Sequence, residues 1–224
     1  MPKFLSSVTL ALLSALAVPS QAAVFYSNDF EVSAAGMSGA GFLAPTQGYS
    51  AYGFGSQYFR NSSFGNPAAS SVLGFSLGSA ATSVALNFYF AAIDSWDGAN
   101  CCGPDFFNVK VDGTTIYTKN FDIFGSPSIG PELTTLVYGP NLAVSGWGDQ
   151  GYKVALSIGN LSAGAHTIEF FASGSGWQGG DDESFAIDNV IVSGDDGGQL
   201  PEPASLALCG LALLGAGAAR RRRA

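Results

Sequence analysis

The residues able to do chemistry in this 224-residue chain are carboxylates gathered where strands should end. Asp94-Ser95-Trp96-Asp97-Gly98 follows one strongly alternating stretch, and Asp105 stands just before another. Asp181-Asp182-Glu183 precedes a final stretch that carries Asp188, while Asp29 and Glu31 flank the end of the first. Carboxylates are hard oxygen donors, and calcium takes about six to eight oxygens, which sheet proteins collect from several sequence-distant loops. Softer metals are disfavoured, because His166 is the single histidine and the body of the chain has no spaced cysteine set. Asp94, Asp97, Asp105 and Glu183 are therefore candidate calcium ligands from the loops. Acids beside glycine also make ordinary turns, and that reading stays open for Asp97, Asp112, Asp195 and Asp196. Asp188 differs. It lies between Ile187 and Val190 in a stretch that reads as buried, where a lone carboxylate is costly, so it needs a metal or a hydrogen-bonded partner.

These acids must be positioned by strands, since the dominant period of the chain is two. Val84, Leu86, Phe88 and Phe90 share one face of the stretch Ser83 to Ala91, with Ala85, Asn87, Tyr89 and Ala91 on the other. Further strands are predicted over Val24 to Phe30, Ser71 to Leu77, Phe106 to Val111, Thr114 to Phe121, Tyr152 to Ile158, His166 to Ala172 and Phe185 to Ser193, all rich in β-branched and aromatic residues. Asp112-Gly113 is a two-residue hairpin signal, both positions tolerating the positive φ of a type I′ turn. Such strands, separated by Gly, Ser, Asn and Asp and without repeating blades, predict an all-β fold: a single β-sandwich or jelly roll. Ser33 to Ser71 reads as irregular structure wrapped on it.

The two ends carry addresses. Lys3, the apolar run Phe4 to Val18 and the small residues of Pro19-Ser20-Gln21-Ala22 predict a signal peptide over 1–22, cleaved after Ala22 by signal peptidase. At the other end Pro201-Glu202-Pro203-Ala204-Ser205 leads into an apolar run to Ala219 and then Arg220-Arg221-Arg222-Arg223. As a helix, Ala204 to Ala219 would reach only about 24 Å, short of a hydrocarbon core of about 30 Å. It is a marginal transmembrane helix, suited to a temporary stop, with the arginines held on the cytoplasmic side and the body outside. An ordinary membrane anchor is the alternative. The expected division is thus signal peptide 1–22, β-sandwich 23–193, a linker over 194–199 and a tail over 200–224.

The order Pro-Glu-Pro, short apolar helix and arginine cluster resembles the PEP-CTERM sorting signal of Gram-negative bacteria, also known from the C-terminal segment of ice-binding proteins. The resemblance implies recognition by an exosortase, removal near Pro201-Glu202-Pro203, and delivery from an inner-membrane intermediate to the cell surface or exopolysaccharide matrix. It implies nothing about what the rest of the chain binds. Separately, Asn28-Asp29-Phe30-Glu31 and Phe185-Ala186-Ile187-Asp188-Asn189-Val190-Ile191-Val192 resemble the opening and closing strands of calcium-containing carbohydrate-binding and adhesion jelly rolls. In that pattern an acid of the first strand and the aspartate of the last hold a structural calcium, which maps here to Glu31 and Asp188.

Composition narrows the partners. Between 23 and 199 the bases are Arg60, Lys110, Lys119 and Lys153 against sixteen acids, a net charge of −12. Nucleic acid is excluded as a partner on that balance, while divalent cations and neutral polymers such as glycans or exopolysaccharide are not repelled. Cys209 falls in the tail, so Cys101-Cys102 is the only pair in the body; a local disulfide is favoured over a cross-link or free thiols. Trp96, Trp147 and Trp177 lie among Gly, Ser, Asp and Gln in predicted loops, where exposed rings would stack on sugars and buried ones would peg the loops. No nucleophile elbow, zinc-protease motif or phosphate loop is present, and His166 alternates with Ile168 as one face of a strand. The sequence thus points to an exported, non-enzymatic, calcium-stabilised glycan-binding or adhesion module. A structural matrix protein without a small ligand is the alternative, and a glycoside hydrolase working through a carboxylate pair comes third.

Overall fold

The computed structural model describes residues 22–98, 101–123, 125, 129–143 and 146–196. The segment expected to be a signal peptide, apart from Ala22, the end of the expected linker and the expected sorting tail lie outside these residues. Within them, no helix is long and apolar enough to cross a membrane.

Twelve strands are present among the described residues: β1 Ala23–Asn28, β2 Met37–Gly39, β3 Phe42–Pro45, β4 Gln57–Asn61, β5 Ser71–Leu77, β6 Ala81–Asp94, β7 Asp105–Val111, β8 Thr114–Asn120, β9 Leu133–Tyr138, β10 Gln150–Leu161, β11 Gly164–Gly174 and β12 Glu183–Asp196. They form two antiparallel sheets. The first runs β3-β4-β12-β6-β10-β9 with β1 also on β12, and the second runs β2-β5-β11-β7-β8. The fold is an all-β sandwich, as the alternating stretches predict. The segment read as irregular from Ser33 to Ser71 instead supplies β2, β3, β4 and a 3-10 turn over Gln47–Tyr52. The linker expectation also needs correction, since Gly194 pairs with Ala23, and Asp195 and Asp196 pair with Thr82 and Ala81.

The side-chain period places the core. Val84, Leu86, Phe88, Phe90 and Ala92 of β6 face inward, joined from the other sheet by Phe107, Val109, Ile168 and Phe170. Phe90 is the hub, with its ring centroid 4.2 Å from Phe107, 4.6 Å from Phe121 and 5.8 Å from Trp96. Beyond Phe90 the strand is buried on both faces, because Tyr49 and Phe54 cover Ala91, Ile93 and Ala186 from outside in a second, smaller core.

Pairing along β12 divides the domain. One edge runs against β6 over its whole length, while the other is shared by β4 at Phe185 to Ile187 and β1 from Val190 to Gly194. Between those partners the β6 register slips at Asp188/Ile191, a bulge that sets Asn189 at φ 49°. At the opposite sheet Asp112 and Gly113 turn with φ 47° and 79°, closing the β7-β8 hairpin. Asp112 there accepts from the Thr167 N–H at 2.8 Å and pairs with His166 Nδ1 at 2.7 Å, which places the only histidine in a structural contact.

Truncating the hub should therefore cost more than an ordinary surface change. Phe90→Ala is expected to lower unfolding free energy by about 3–5 kcal/mol in chemical denaturation, the range for a buried phenylalanine. A loss below about 1 kcal/mol would contradict the packing.

Candidate metal centre

The end of β6, the start of β7 and the start of β12 meet at one end of the sandwich. Asp94 closes β6 in a left-handed conformation, φ 65°, and redirects the chain so that Ser95 N–H donates to the Asp182 carbonyl at 3.0 Å. Trp96 then dives into the core and its indole N–H donates to the Ser184 carbonyl at 2.8 Å. Asp97 and Asp105 clasp each other: Asp105 N–H donates to the Asp97 carbonyl at 2.9 Å, and Asp97 N–H to Asp105 Oδ2 at 2.7 Å. Asn120, the last residue of β8, donates to both their carbonyls at 2.9 and 2.7 Å. Glu183, opposite Asp94 in the β12-β6 ladder, has Oε2 bonded by the Gln178 N–H at 2.5 Å.

This scaffold brings a ligand atom each of Asp97, Asp105 and Glu183 within 4.8 Å of one another, all three residues being buried. Asp105 Oδ1 and Glu183 Oε1 are inaccessible to solvent and have no hydrogen-bond donor among the described residues. Gly176 leaves the space beside them, since a Cβ there would stand 3.2 Å from Asp105 Oδ1 and run into the Gly103 carbonyl. Burial pushes the carboxyls of Asp105 and Glu183 upward against the backbone N–H groups of Asp97 and Gln178, the charge of Asp97 adds to both, and the contact between the two carboxyls lowers Asp105 while raising Glu183; Asp97 is raised by burial and then by the charges of Asp122 and Asp182. Asp122 approaches this loop because Gly98 carries no side chain. The one guanidinium nearby, Arg60, is committed to Asp181 at 3.0 Å and to Ser184 Oγ at 3.0 Å. Several buried acids with bare oxygens and no basic partner fit a hard divalent cation, and calcium is the natural one for an all-oxygen set.

The other sequence candidates fall elsewhere. Asp94 is buried but lies outside the triad; its N–H donates to Asp149 Oδ1 at 3.0 Å. Asp149 also accepts from the N–H groups of Leu142 and Ala143, at 2.5 and 3.0 Å, and so holds the loop that covers the second core. Glu31 and Asp188 converge on Gly55 from two sides, in the gap that β4 and β1 leave on β12. Asp188 is fully buried, accepting from the N–H of Gly55 at 3.2 Å and of Asn189 at 2.7 Å. Its pKa is pushed up to about 7 by burial, with the charges of Glu31 and Asp29 contributing. Glu31 is held low by the Ser56 hydroxyl at 2.5 Å, with the backbone N–H groups of Gln57 and Ser56 at 3.3 and 2.7 Å adding to it. These two acids are therefore near neighbours with backbone donors already in place, unlike the bare oxygens of the triad.

Two of the three tryptophans are not where a sugar could reach them. Trp96 is completely buried, and Trp177, packed edge-on against it at 5.3 Å, donates its indole N–H to the Ser63 carbonyl at 3.2 Å. Each indole finds a carbonyl acceptor inside the loops, so burying the ring leaves no polar atom unpaired. Trp147 alone of the three keeps an exposed ring, at 49 %. Cys101 and Cys102 form a disulfide with each other beside Asp97, which makes their sulfurs poor partners for a hard cation. Asp122, Asp149 and Asp182 are acids of this region that sequence reasoning did not select. Asp122 and Asp149 lack a nearby acidic cluster in sequence, whereas Asp182 adjoins Glu183 and carried a signal.

A carboxyl raised by folding holds its proton more tightly in the native chain than in the unfolded one, where it titrates near 4. Its stabilising contribution is complete below that value and is lost as pH rises through the native pKa. With chelator present, the melting temperature should fall between about pH 5 and about pH 8, as Asp188, Asp105 and Glu183 are forced to ionise. A flat or rising profile over that window in scanning calorimetry would contradict the arrangement.

No curated protein matches this chain. Among solved structures, a family 35 carbohydrate binding module from an environmental isolate is 19 % identical, with 77 % of this chain and 93 % of that one covered and a TM-score of 0.39. The C-terminal family 22 carbohydrate binding module of Clostridium thermocellum Xyn10B is 13 % identical, covering 79 % and 97 %, with a TM-score of 0.37. The catalytic domain of a GH87 alpha-1,3-glucanase is 16 % identical over 80 % of this chain and 30 % of its own, with a TM-score of 0.38. Pro201, Glu202, Pro203 and Arg220 to Arg223 lie outside the described residues, but residues 199–223 match the family model of the PEP-CTERM protein-sorting motif, so the chain carries that sorting tail.

Proposed function

We propose that this chain is an exported β-sandwich, processed by an exosortase and delivered to the cell surface or extracellular matrix, where it works as a calcium-stabilised, non-enzymatic glycan-binding module. The observation that carries the calcium part is the pair of bare buried oxygens, Asp105 Oδ1 and Glu183 Oε1, beside Asp97. A bound calcium ion would neutralise this charge and tie the β6-β7 loop to the first residue of β12. Asp97, Asp105 and Glu183 are the residues that would hold it, with protons leaving Asp105 and Glu183 on binding, so affinity rises with pH. Glu31 and Asp188 form the second acidic pair, also proposed to respond to calcium.

The same burial supports a binding role over hydrolysis. A glycosidase needs one acid and one base open to the sugar, whereas Asp105 and Glu183 have no exposed surface. The PEP-CTERM tail supports delivery beyond the inner membrane, with signal peptidase acting at the other end. The net charge of −12 between 23 and 199 supports neutral polymers over polyanions as ligands.

Calcium at about 100 times its dissociation constant should stabilise the full chain by roughly 2.7 kcal/mol, a melting shift that chelator reverses. Glu183→Gln should remove most of that shift, and in chelator it should melt higher than the parent only above about pH 8, where the parent's Glu183, its pKa raised to about 8, is forced to ionise without a partner. Terbium in place of calcium should show emission sensitised by Trp96 and Trp177, which adjoin the site. No calcium-dependent shift, together with no metal by elemental analysis, would overturn the calcium reading.

A further inference from the structure

The outer face of the first sheet is only half covered. Tyr49 and Phe54 seal the end near Ala91, Ile93 and Ala186. The remainder stays open as a trough of about 410 Å³, within the usual range of roughly 300–1,000 Å³ for small-ligand sites. Strand register arranges its lining in two rows across the sheet. Ile191, Asn87 and Ala155 stand in register on β12, β6 and β10, and Tyr89, Lys153 and Thr134 do so on β6, β10 and β9. Asn189 joins them through the β12 bulge, a device that re-aims side chains beside sites.

We propose that this trough binds a neutral polysaccharide chain. The inference rests on the glycan-binding reading above and gives it a place and a ligand class. Tyr89 is fixed from behind by an edge-on contact with Phe54 at 5.4 Å, and Lys153 Nζ lies 5.3 Å from its ring centroid without a carboxylate partner in any ion pair among the described residues. Ala155 keeps the floor shallow and Ile191 offers an apolar wall, surfaces suited to the C–H face of a sugar ring. The amides of Asn87 and Asn189, the Thr134 hydroxyl and the Lys153 ammonium are the donors and acceptors that sugar hydroxyls require. A peptide added as a strand would use the free edge of β9 at the rim of the trough, not the floor formed by the faces of β12, β6 and β10. A lipid is a poor occupant as well, since Asn87, Glu132, Thr134, Lys153 and Asn189 interrupt the apolar lining. The surplus of acids across the domain disfavours a polyanion.

The test is affinity electrophoresis of the full chain in mild detergent with calcium, through gels containing xylan, β-glucan, α-glucan or mannan, and through alginate as the acidic comparison. Two variants probe the trough: Asn87→Ala with Lys153→Ala, which removes exposed polar groups, and Ala155→Arg, which fills the floor. Both should keep the parent melting temperature, and each should weaken retention by a neutral polymer at least tenfold. Retention of a neutral polymer undiminished in both folded variants overturns the trough while leaving the glycan reading in place. Retention by alginate alone overturns the neutral class. Retention by no polymer overturns the trough and the glycan reading together, and the calcium centre is then judged by its melting shift alone.

Discussion

The antiparallel ladder between β12 and β6 is the constraint on which the other features depend. It runs from Glu183 opposite Asp94 to Asp196 opposite Ala81, and both strands are interior to the sheet. Its first pair sets Glu183 at the end of the sandwich where the β6-β7 loop turns back. Its bulge buries Asp188 and puts Asn189 at the trough. Its inward residues, Phe88, Phe90, Phe185 and Ile187, supply much of the core. A one-residue slip would exchange the two faces of β12 and scatter all of these at once, which is why burial on both faces pins the register.

Electrostatics at the Glu183 end is a consequence of that geometry. Strand ends collect loops, and these loops are acidic, so pairing the strands gathers negative charge faster than the chain can supply bases to offset it. Asp149 resolves its share by accepting backbone N–H groups, and Glu31 does the same at Ser56 and Gln57. Asp105 and Glu183 each use one oxygen in this way and leave the other bare. A proton held between carboxyls or a cation among them are the physical solutions for such oxygens, and the two exclude each other, which couples stability, pH and calcium in one place.

Particular residues show how much could be read in advance. Ser71 to Leu77 alternates cleanly and is a strand over that same span, and Asp112-Gly113 makes its hairpin, because both signals are local. β2, β3 and β4 were illegible: they are three to five residues long, too short for a period to show, and are held by pairing, β2 on β5, β4 on β12 and β3 on β4. β9 escaped for a similar reason, being a short edge strand on β10. At the site, the acids before Glu183 and around Asp97 stood out by their density, whereas Asp122 and Asp149 stood alone and joined the region only through folding.

The sequence by itself determined the all-β class, through period-two burial, and the sorting address, through a tail whose motif, apolar run and arginines act as a linear signal. It also determined that the acids have few basic partners. Only the tertiary structure decided which acids share a site, separating Asp94 from Asp97, Asp105 and Glu183, and which tryptophans are pegs. Those outcomes turn on distances between strand ends far apart in the chain, and on carbonyls that the loops present to the indoles of Trp96 and Trp177, so no local pattern encodes them.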